Sequence, residues 1–356
     1  MYELALVPLA HSTPLSHTAV WPRARLSRRC NRGAVLGSVR HLDQASASSL
    51  SIVQEHDEGP VNLFWVFSLL APACLAVSNL VDNHVLHSRL RDPVSYDILT
   101  TWPTLPVAVA IFLTTKVSFA FEAWFFGTAI GFAFSFLFIL YNIAMMKEHG
   151  PNVVSVIYTS PLFVASLAWV FLDENLSATN YIGILLLVAS AFLVLYKRID
   201  SKNLALGVVL VYAFCSAVGR VATKSVLEGV DVWSYFFWFL VGGILGSIVL
   251  AFATRKTLVA SVRKIDAGVL ALIGTTTIFS TIGLVLLYSA FSLGSVTLAS
   301  GLTAVQPSLV LVYSAVLLRF RPRAIPPERI PGRWSALRRV AAVLLIIGGA
   351  FALVGV

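Results

Sequence analysis

From Val61 onward the chain is written in apolar blocks of about 20 residues, rich in Leu, Val, Ile, Phe and Ala, with short polar links between them. A block of that length, wound as a helix, crosses roughly 30 Å of hydrocarbon. The pattern predicts ten spans, near residues 62–82, 95–115, 123–146, 151–172, 179–196, 204–224, 233–254, 267–291, 295–318 and 338–356. Each is read as a helix, because a backbone exposed to lipid must satisfy its hydrogen bonds within its own segment. Strands of a barrel would alternate apolar and polar residues, and these blocks do not. The expected fold is an all-α integral membrane protein with ten transmembrane helices, located in the cell membrane with the lipid bilayer as its surroundings.

Composition agrees with the pattern. Of 356 residues 58% are apolar and 12% charged, too much apolar surface for a water-soluble protein of this size to hide. That excludes a cytosolic enzyme, a secreted disulfide scaffold and a disordered regulator. The net charge of +9 does not point to nucleic acid, since the basic residues flank apolar blocks, where they anchor helices against lipid head groups. The three cysteines, Cys30, Cys74 and Cys215, show neither metal-ligand spacing nor a disulfide framework. No metal or cofactor is expected.

Residues 1–58 differ in kind. They carry six Arg, many Ser and no long apolar run. Such a segment is a disordered tail, a stretch ahead of the true start, or an Arg-rich targeting peptide; all three exclude it from the fold. The long link Arg319 to Arg339 holds seven Arg and the Pro-rich stretch Ala324–Pro331.

The two sets of five blocks match in order. Ala76–Leu86 aligns with Ala217–Leu227, which sets Asn79 on Arg220 and Asp82 on Thr223. Asp92-Pro93-Val94-Ser95-Tyr96 aligns with Asp231-Val232-Trp233-Ser234-Tyr235. Ala144 precedes Pro161 by 17 residues, as Ala290 precedes Pro307, and Ala191-Phe192 matches Ala350-Phe351. Each match alone is weak, but together they predict a duplication with halves 62–196 and 204–356. A unit with an odd number of spans returns the chain upside down, so the halves are expected to be inverted repeats. That is the architecture of alternating-access transporters. Orientation stays open: basic residues beyond the tail concentrate in the odd-numbered links, which puts the termini outside, while the Arg-rich tail argues the reverse.

Pro161 through Ser177, PLFVASLAWVFLDENLS, with Leu172-Asp173-Glu174-Asn175-Leu176-Ser177 as its turn, resembles the fourth span of EamA-type transporters of the drug/metabolite transporter superfamily. Gly183 fits the fifth span. Tyr288-Ser289-Ala290, followed by Ala299-Ser300-Gly301-Leu302 and Gln306-Pro307, resembles the ninth span. The resemblance covers about 62–356. Departures are Phe320 at the position matching Glu174, the longer link after it, and an unusually polar stretch at Asn79–His84. The resemblance implies a secondary carrier, without ATP, for a small organic metabolite of amino-acid-like, anionic or amphiphilic kind.

Polar residues inside the spans are the candidates for function, because a charge at the bilayer centre costs about 2.5–3.5 kcal/mol even on insertion scales. Arg220 and Lys224 lie one turn apart on one helix face. Lys224 either contacts a substrate carboxylate or phosphate, or snorkels and pairs with Glu228. Asn79 and Asn83 would line the opposite wall. Asp82 is either a coupling residue carrying a proton or a helix-end residue in water; His84 and His87 read as interfacial. Tyr141, Asn142, Tyr158, Ser160, Tyr212, Tyr288 and Gln306 lie on spans that, by the resemblance, surround a central cavity. Pro161 and Pro307 are expected to kink their helices, with a tolerated first-turn proline as the alternative. Glu174 reads as a structural turn residue, and Gly242, Gly243 and Gly246 as a close-packing face. A secondary transporter leads; a membrane enzyme acting on a lipid-linked substrate around Asp82, His84 and His87, and a sensor without transport, are the other classes.

Overall fold

Short polar signals placed ahead of the apolar blocks start several of the helices. The Asp92 carboxylate accepts from the Ser95 amide at 3.1 Å, Asp231 from Ser234 at 3.0 Å and Asp266 from Val269 at 2.7 Å, while the Ser295 hydroxyl accepts from Leu298 at 3.2 Å. Each satisfies an amide that the first helical turn leaves without a partner.

The computed structural model describes residues 59–90, 92–147, 156–195, 204–263, 265–320 and 333–354. Among them there is helix and no strand. In chain order the α-helices are α1 (Gly59–Ser88), α2 (Pro93–Thr101), α3 (Leu105–Thr114), α4 (Gly127–Lys147), α5 (Ser160–Phe171), α6 (Ala178–Leu195), α7 (Leu204–Leu227), α8 (Val232–Ala253), α9 (Arg255–Val262), α10 (Ala267–Leu293), α11 (Val296–Leu302), α12 (Gln306–Phe320) and α13 (Arg333–Val354). A 3₁₀ turn at Trp102–Thr104 joins α2 to α3, another at Thr303–Val305 joins α11 to α12, and a π turn at Glu122–Phe126 opens α4.

Among the described residues, seven helical segments are long and apolar enough to cross a membrane: Leu63–Leu86, Pro93–Thr114, Glu122–Ala144, Gly207–Leu227, Val232–Ala253, Ala267–Leu293 and Val296–Leu317. The apolar helices Ser160–Phe171, Ala178–Leu193 and Ala341–Leu353 are shorter. The tail, the start of the fourth expected span at 151–155 and the Pro-rich stretch Ala324–Pro331 lie outside the described residues. Two features differ from the expectation. Helix α1 runs six residues beyond the expected boundary at 82, so Asp82, Asn83 and His84 are helical. A short basic helix, α9, also intervenes between α8 and α10.

The main pairings are α1 with α10, α4 with α8, α6 with α13 and α5 with α7. Glycine permits the closest approach. A Cβ on Gly131 would lie 2.0 Å from the Phe239 carbonyl oxygen, and one on Gly242 would lie 2.1 Å from that of Thr128. Helices α4 and α8 therefore touch backbone to backbone. The matched crossing, α10 on α2, has the same register but another spacer. Thr277 lies 13 residues before Ala290, as Gly131 lies 13 before Ala144, and Thr100 lies four after Tyr96, as Phe239 lies four after Tyr235. There the Thr277 hydroxyl donates to the Thr100 carbonyl at 3.0 Å.

Large apolar side chains such as Leu113, Phe171, Phe252, Leu270 and Phe351 are exposed on the outside of the bundle. Such a surface suits hydrocarbon and would be a liability in water.

Candidate functional site

The interior holds two neighbouring chambers that share Leu75, Asn79, Phe134, Phe138, Tyr141 and Leu284 as a common wall. One encloses about 130 Å³ and is lined further by Tyr158, Ser160, Pro161, Tyr212, Ser216, Arg220, Tyr288, Thr303 and Gln306. The other, about 190 Å³, adds Asp82, Tyr96, Asp97, Thr100, Thr101, Thr104, Ser135, Asn142, Thr276 and Ser280. The first is basic and aromatic; the second is acidic and rich in hydroxyls.

Arg220 projects from α7 into the basic chamber. Its Nη1 donates to the Thr303 hydroxyl at 3.3 Å, and no carboxylate among the described residues pairs with it. Thr303 belongs to the 3₁₀ turn that interrupts the α11–α12 span, so the break in the helix brings a hydroxyl to the guanidinium. Tyr158, Tyr212 and Tyr288, all buried, surround the same space. Tyr212 leans on Tyr141 with ring centroids 5.6 Å apart, and Tyr288 meets Tyr235 edge-on at 5.4 Å. A guanidinium with donors to spare among phenol rings can hold a planar anion in bidentate fashion while the rings receive apolar parts of the same molecule.

In the acidic chamber, Asp82 accepts hydrogen bonds from the Tyr96 hydroxyl on α2 and from Ser78 at 3.4 Å. The matched position in the second half is Thr223, and its hydroxyl meets Tyr235, the mate of Tyr96, at 2.6 Å. Asp97, one residue on from Tyr96, is 5% exposed, and its Oδ2 has no hydrogen-bond partner.

Most of the residues expected at a site meet in these chambers: Asn79, Asp82, Tyr141, Asn142, Tyr158, Arg220, Tyr288 and Gln306. Lys224 does not line either. Its Nζ, in the last turn of α7, lies 4.0 Å from the Glu228 carboxylate, the pairing that the alternative reading named. Asn83 is exposed and also absent from both linings, although it lies one turn on from Asn79 on the same helix face. Pro161 sits in the first turn of α5, where its missing amide breaks no bond, so it does not kink a helix interior. Pro307 follows directly on the 3₁₀ break and Gln306, at the start of α12. The side chain of His87 lies outside the described residues.

Three contributors escaped the sequence reading. Asp97 is an acid inside an apolar span, a signal that was available. Thr303 and Thr276 carried none, since isolated threonines are common in apolar helices.

Glu174 does more than shape a turn. Its carboxylate accepts from the Val296 and Thr297 amides at 2.9 and 3.3 Å and from the Ser295 and Thr297 hydroxyls, both at 2.7 Å. It thereby caps α11 from the far end of α5, favoured by the helix dipole. Asp173 beside it adopts a positive φ of 51°, which turns the chain toward that cap.

A family model for the EamA-like transporter family matches residues 63–196 and again 203–325. The chain belongs to the EamA-like transporter family. The domain is thus present twice, and this is an integral, multi-pass membrane protein of a transporter family within the drug/metabolite transporter superfamily. No curated protein matches the chain. A solved crystal structure, described simply as that of a protein, is similar with a TM-score of 0.62 at 16% identity, over 81% of this chain and 94% of that one. That likeness concerns the fold alone.

Proposed function

We propose that this EamA-like protein is a secondary transporter that moves a small organic solute bearing an anionic group by alternating access. Its ten helical segments are read as ten spans in two inverted five-helix repeats. The pairing pattern supports this: exchanging the halves carries the α4–α8 crossing onto α10–α2 and the Tyr96–Asp82 contact onto Tyr235–Thr223. Both halves contribute to the central space, as a carrier that opens one site to each side in turn requires.

The observation that carries the proposal is Arg220. A guanidinium inside a span, without a carboxylate partner and facing a tyrosine-lined cavity, stabilises the bundle poorly but suits an incoming anion well. Asp82 is the coupling residue in this reading, with the Tyr96 and Ser78 hydroxyls as the groups through which its proton is exchanged. The enzyme reading gains nothing from the geometry, since Asp82 is engaged by Tyr96 and Ser78, away from any cluster with His84.

Proteoliposomes preloaded with a mixed metabolite extract test the proposal, with the compounds that leave identified by mass spectrometry. The wild type is expected to release a few related anionic or amphoteric solutes, and Arg220→Gln to slow that release about tenfold or more, the scale of one charge-assisted bond. Release no greater than from empty liposomes, with and without an ion gradient, would remove the carrier reading.

A further inference from the structure

The least explained group in the bundle is Asp97. It sits within the second span, almost fully buried, as part of the lining of the acidic chamber, and one of its carboxylate oxygens has no hydrogen-bond partner among the described residues. No Lys or Arg among the described residues lines that chamber. The charged and titratable groups facing it are Asp97, Asp82, Tyr96 and Tyr141, and Asp82 is already engaged by Tyr96 and Ser78.

Five of the hydroxyls around the chamber share one property. Thr100 donates to the carbonyls of Tyr96 and Asp97 at 3.0 and 3.1 Å, Thr101 to that of Asp97 at 2.8 Å, and Thr104 to that of Thr101 at 2.6 Å. Across the chamber Ser135 donates to the Gly243 carbonyl at 3.0 Å and Ser280 to that of Thr277 at 3.1 Å. A hydroxyl has one hydrogen and two lone pairs. With these five hydrogens committed to main-chain carbonyls, the hydroxyls of Thr100, Thr101, Thr104, Ser135 and Ser280 turn lone pairs rather than donors to the chamber. An acceptor-rich, oxygen-lined space built on a buried carboxylate calls for a hard cation. With Asp82 holding its proton, as the carrier reading has it, Asp97 is the one charged carboxylate among neutral oxygens and balances a single positive charge.

We propose that the acidic chamber is a binding site for a small alkali cation, Na⁺, with the Asp97 carboxylate as its charged ligand and the hydroxyls of α2 and α4 as neutral ones. The site lies across the shared wall from Arg220, so the cation and the anionic solute occupy the same central space. This deepens the carrier reading by adding Na⁺ at Asp97 as a driving ion beside the proton at Asp82, while the binding itself does not depend on transport.

Equilibrium binding of ²²Na⁺ to the purified full chain in nanodiscs, with choline as the replacing cation, tests it. The wild type is expected to bind Na⁺ saturably, and Lys224→Gln, at a residue that lines neither chamber, to bind it equally well. Asp97→Asn should weaken binding about tenfold or more, because ligand charge sets cation affinity. Ser135→Ala, which keeps the carboxylate and removes one wall oxygen, should weaken it several-fold, and it decides the matter if Asp97→Asn does not fold. No saturable binding to the wild type, or affinities unchanged in the folded variants, would overturn the proposal. So would a binding signal that competes only with protons, which would make Asp97 a proton carrier. Saturable Na⁺ binding without any solute release would leave this site standing and remove the carrier reading alone.

Discussion

Two tyrosines a repeat apart, Tyr96 and Tyr235, each reach from the second helix of a half to its first, and they meet different partners. Tyr235 meets Thr223, and around that pair Phe236, Tyr288 and Phe291 pack into the largest apolar cluster of the bundle. Tyr96 meets Asp82 beside a hydroxyl-lined hollow. The same geometry, built twice, is sealed in the second half and hollow and acidic in the first. The difference teaches where function entered a duplicated scaffold: the backbone contacts stayed matched, and Thr223 against Asp82, or Asn79 against Arg220, set the chemistry of each wall. In the alternating-access reading it also describes one state of a cycle, closed at the Tyr235 end.

The largest expected effect breaks the matched crossings. Gly242→Leu drives a side chain into the Thr128 backbone, which cannot give way. It should cost about 3 kcal/mol or more, the upper range for overpacking, and abolish folded protein by size exclusion. Thr277→Val at the mated crossing, where a threonine already fits, should cost about 1 kcal/mol for its lost hydrogen bond.

A middle-sized effect sharpens the comparison of the tyrosines. Tyr96→Phe removes a hydrogen bond to a carboxylate and should cost about 1–3 kcal/mol, whereas Tyr235→Phe removes a neutral one and should cost about 1 kcal/mol. Thermal melting in detergent at constant pH would order the two. Equal losses would mean that the acid and the threonine are energetically alike, contrary to the contrast drawn above.

The smallest effect concerns Lys224. The i,i+4 pair of a largely buried Lys224 with an exposed Glu228 stands at the 4.0 Å limit of an ion pair and contributes about 0.3–0.5 kcal/mol, so Lys224→Gln should leave both melting and solute release almost unchanged. A loss as large as that of Arg220→Gln would return Lys224 to the solute site.

The repeat was legible because its signals were local. Asp92 and Asp231 start equivalent helices, and Tyr96 and Tyr235 follow them at the same distance, so alignment alone pairs contacts that the structure then shows. Arg220 and Lys224 show where local reading stops. Helical spacing puts both on one face, but only the position along the span decides that one reaches the cavity and the other pairs with Glu228 at the helix end. The Glu174 cap was beyond reach for another reason: the amides it binds lie more than 120 residues away, at the start of α11. Asp97 is different again, since its acid was visible and its significance rests on a missing partner that only coordinates reveal.

The central claim is that the two halves exchange states. Distances between spin labels test it most directly, placed on exposed mated positions: Ser88 with Ala267 at the ends of α1 and α10, and Phe121 with Gly229 at the opposite corner. Measured by double electron–electron resonance in nanodiscs, with and without the released solutes, the two pairs should show two distances each, and one pair should lengthen as the other shortens. Single distances that stay fixed under every condition would contradict alternating access in this protein.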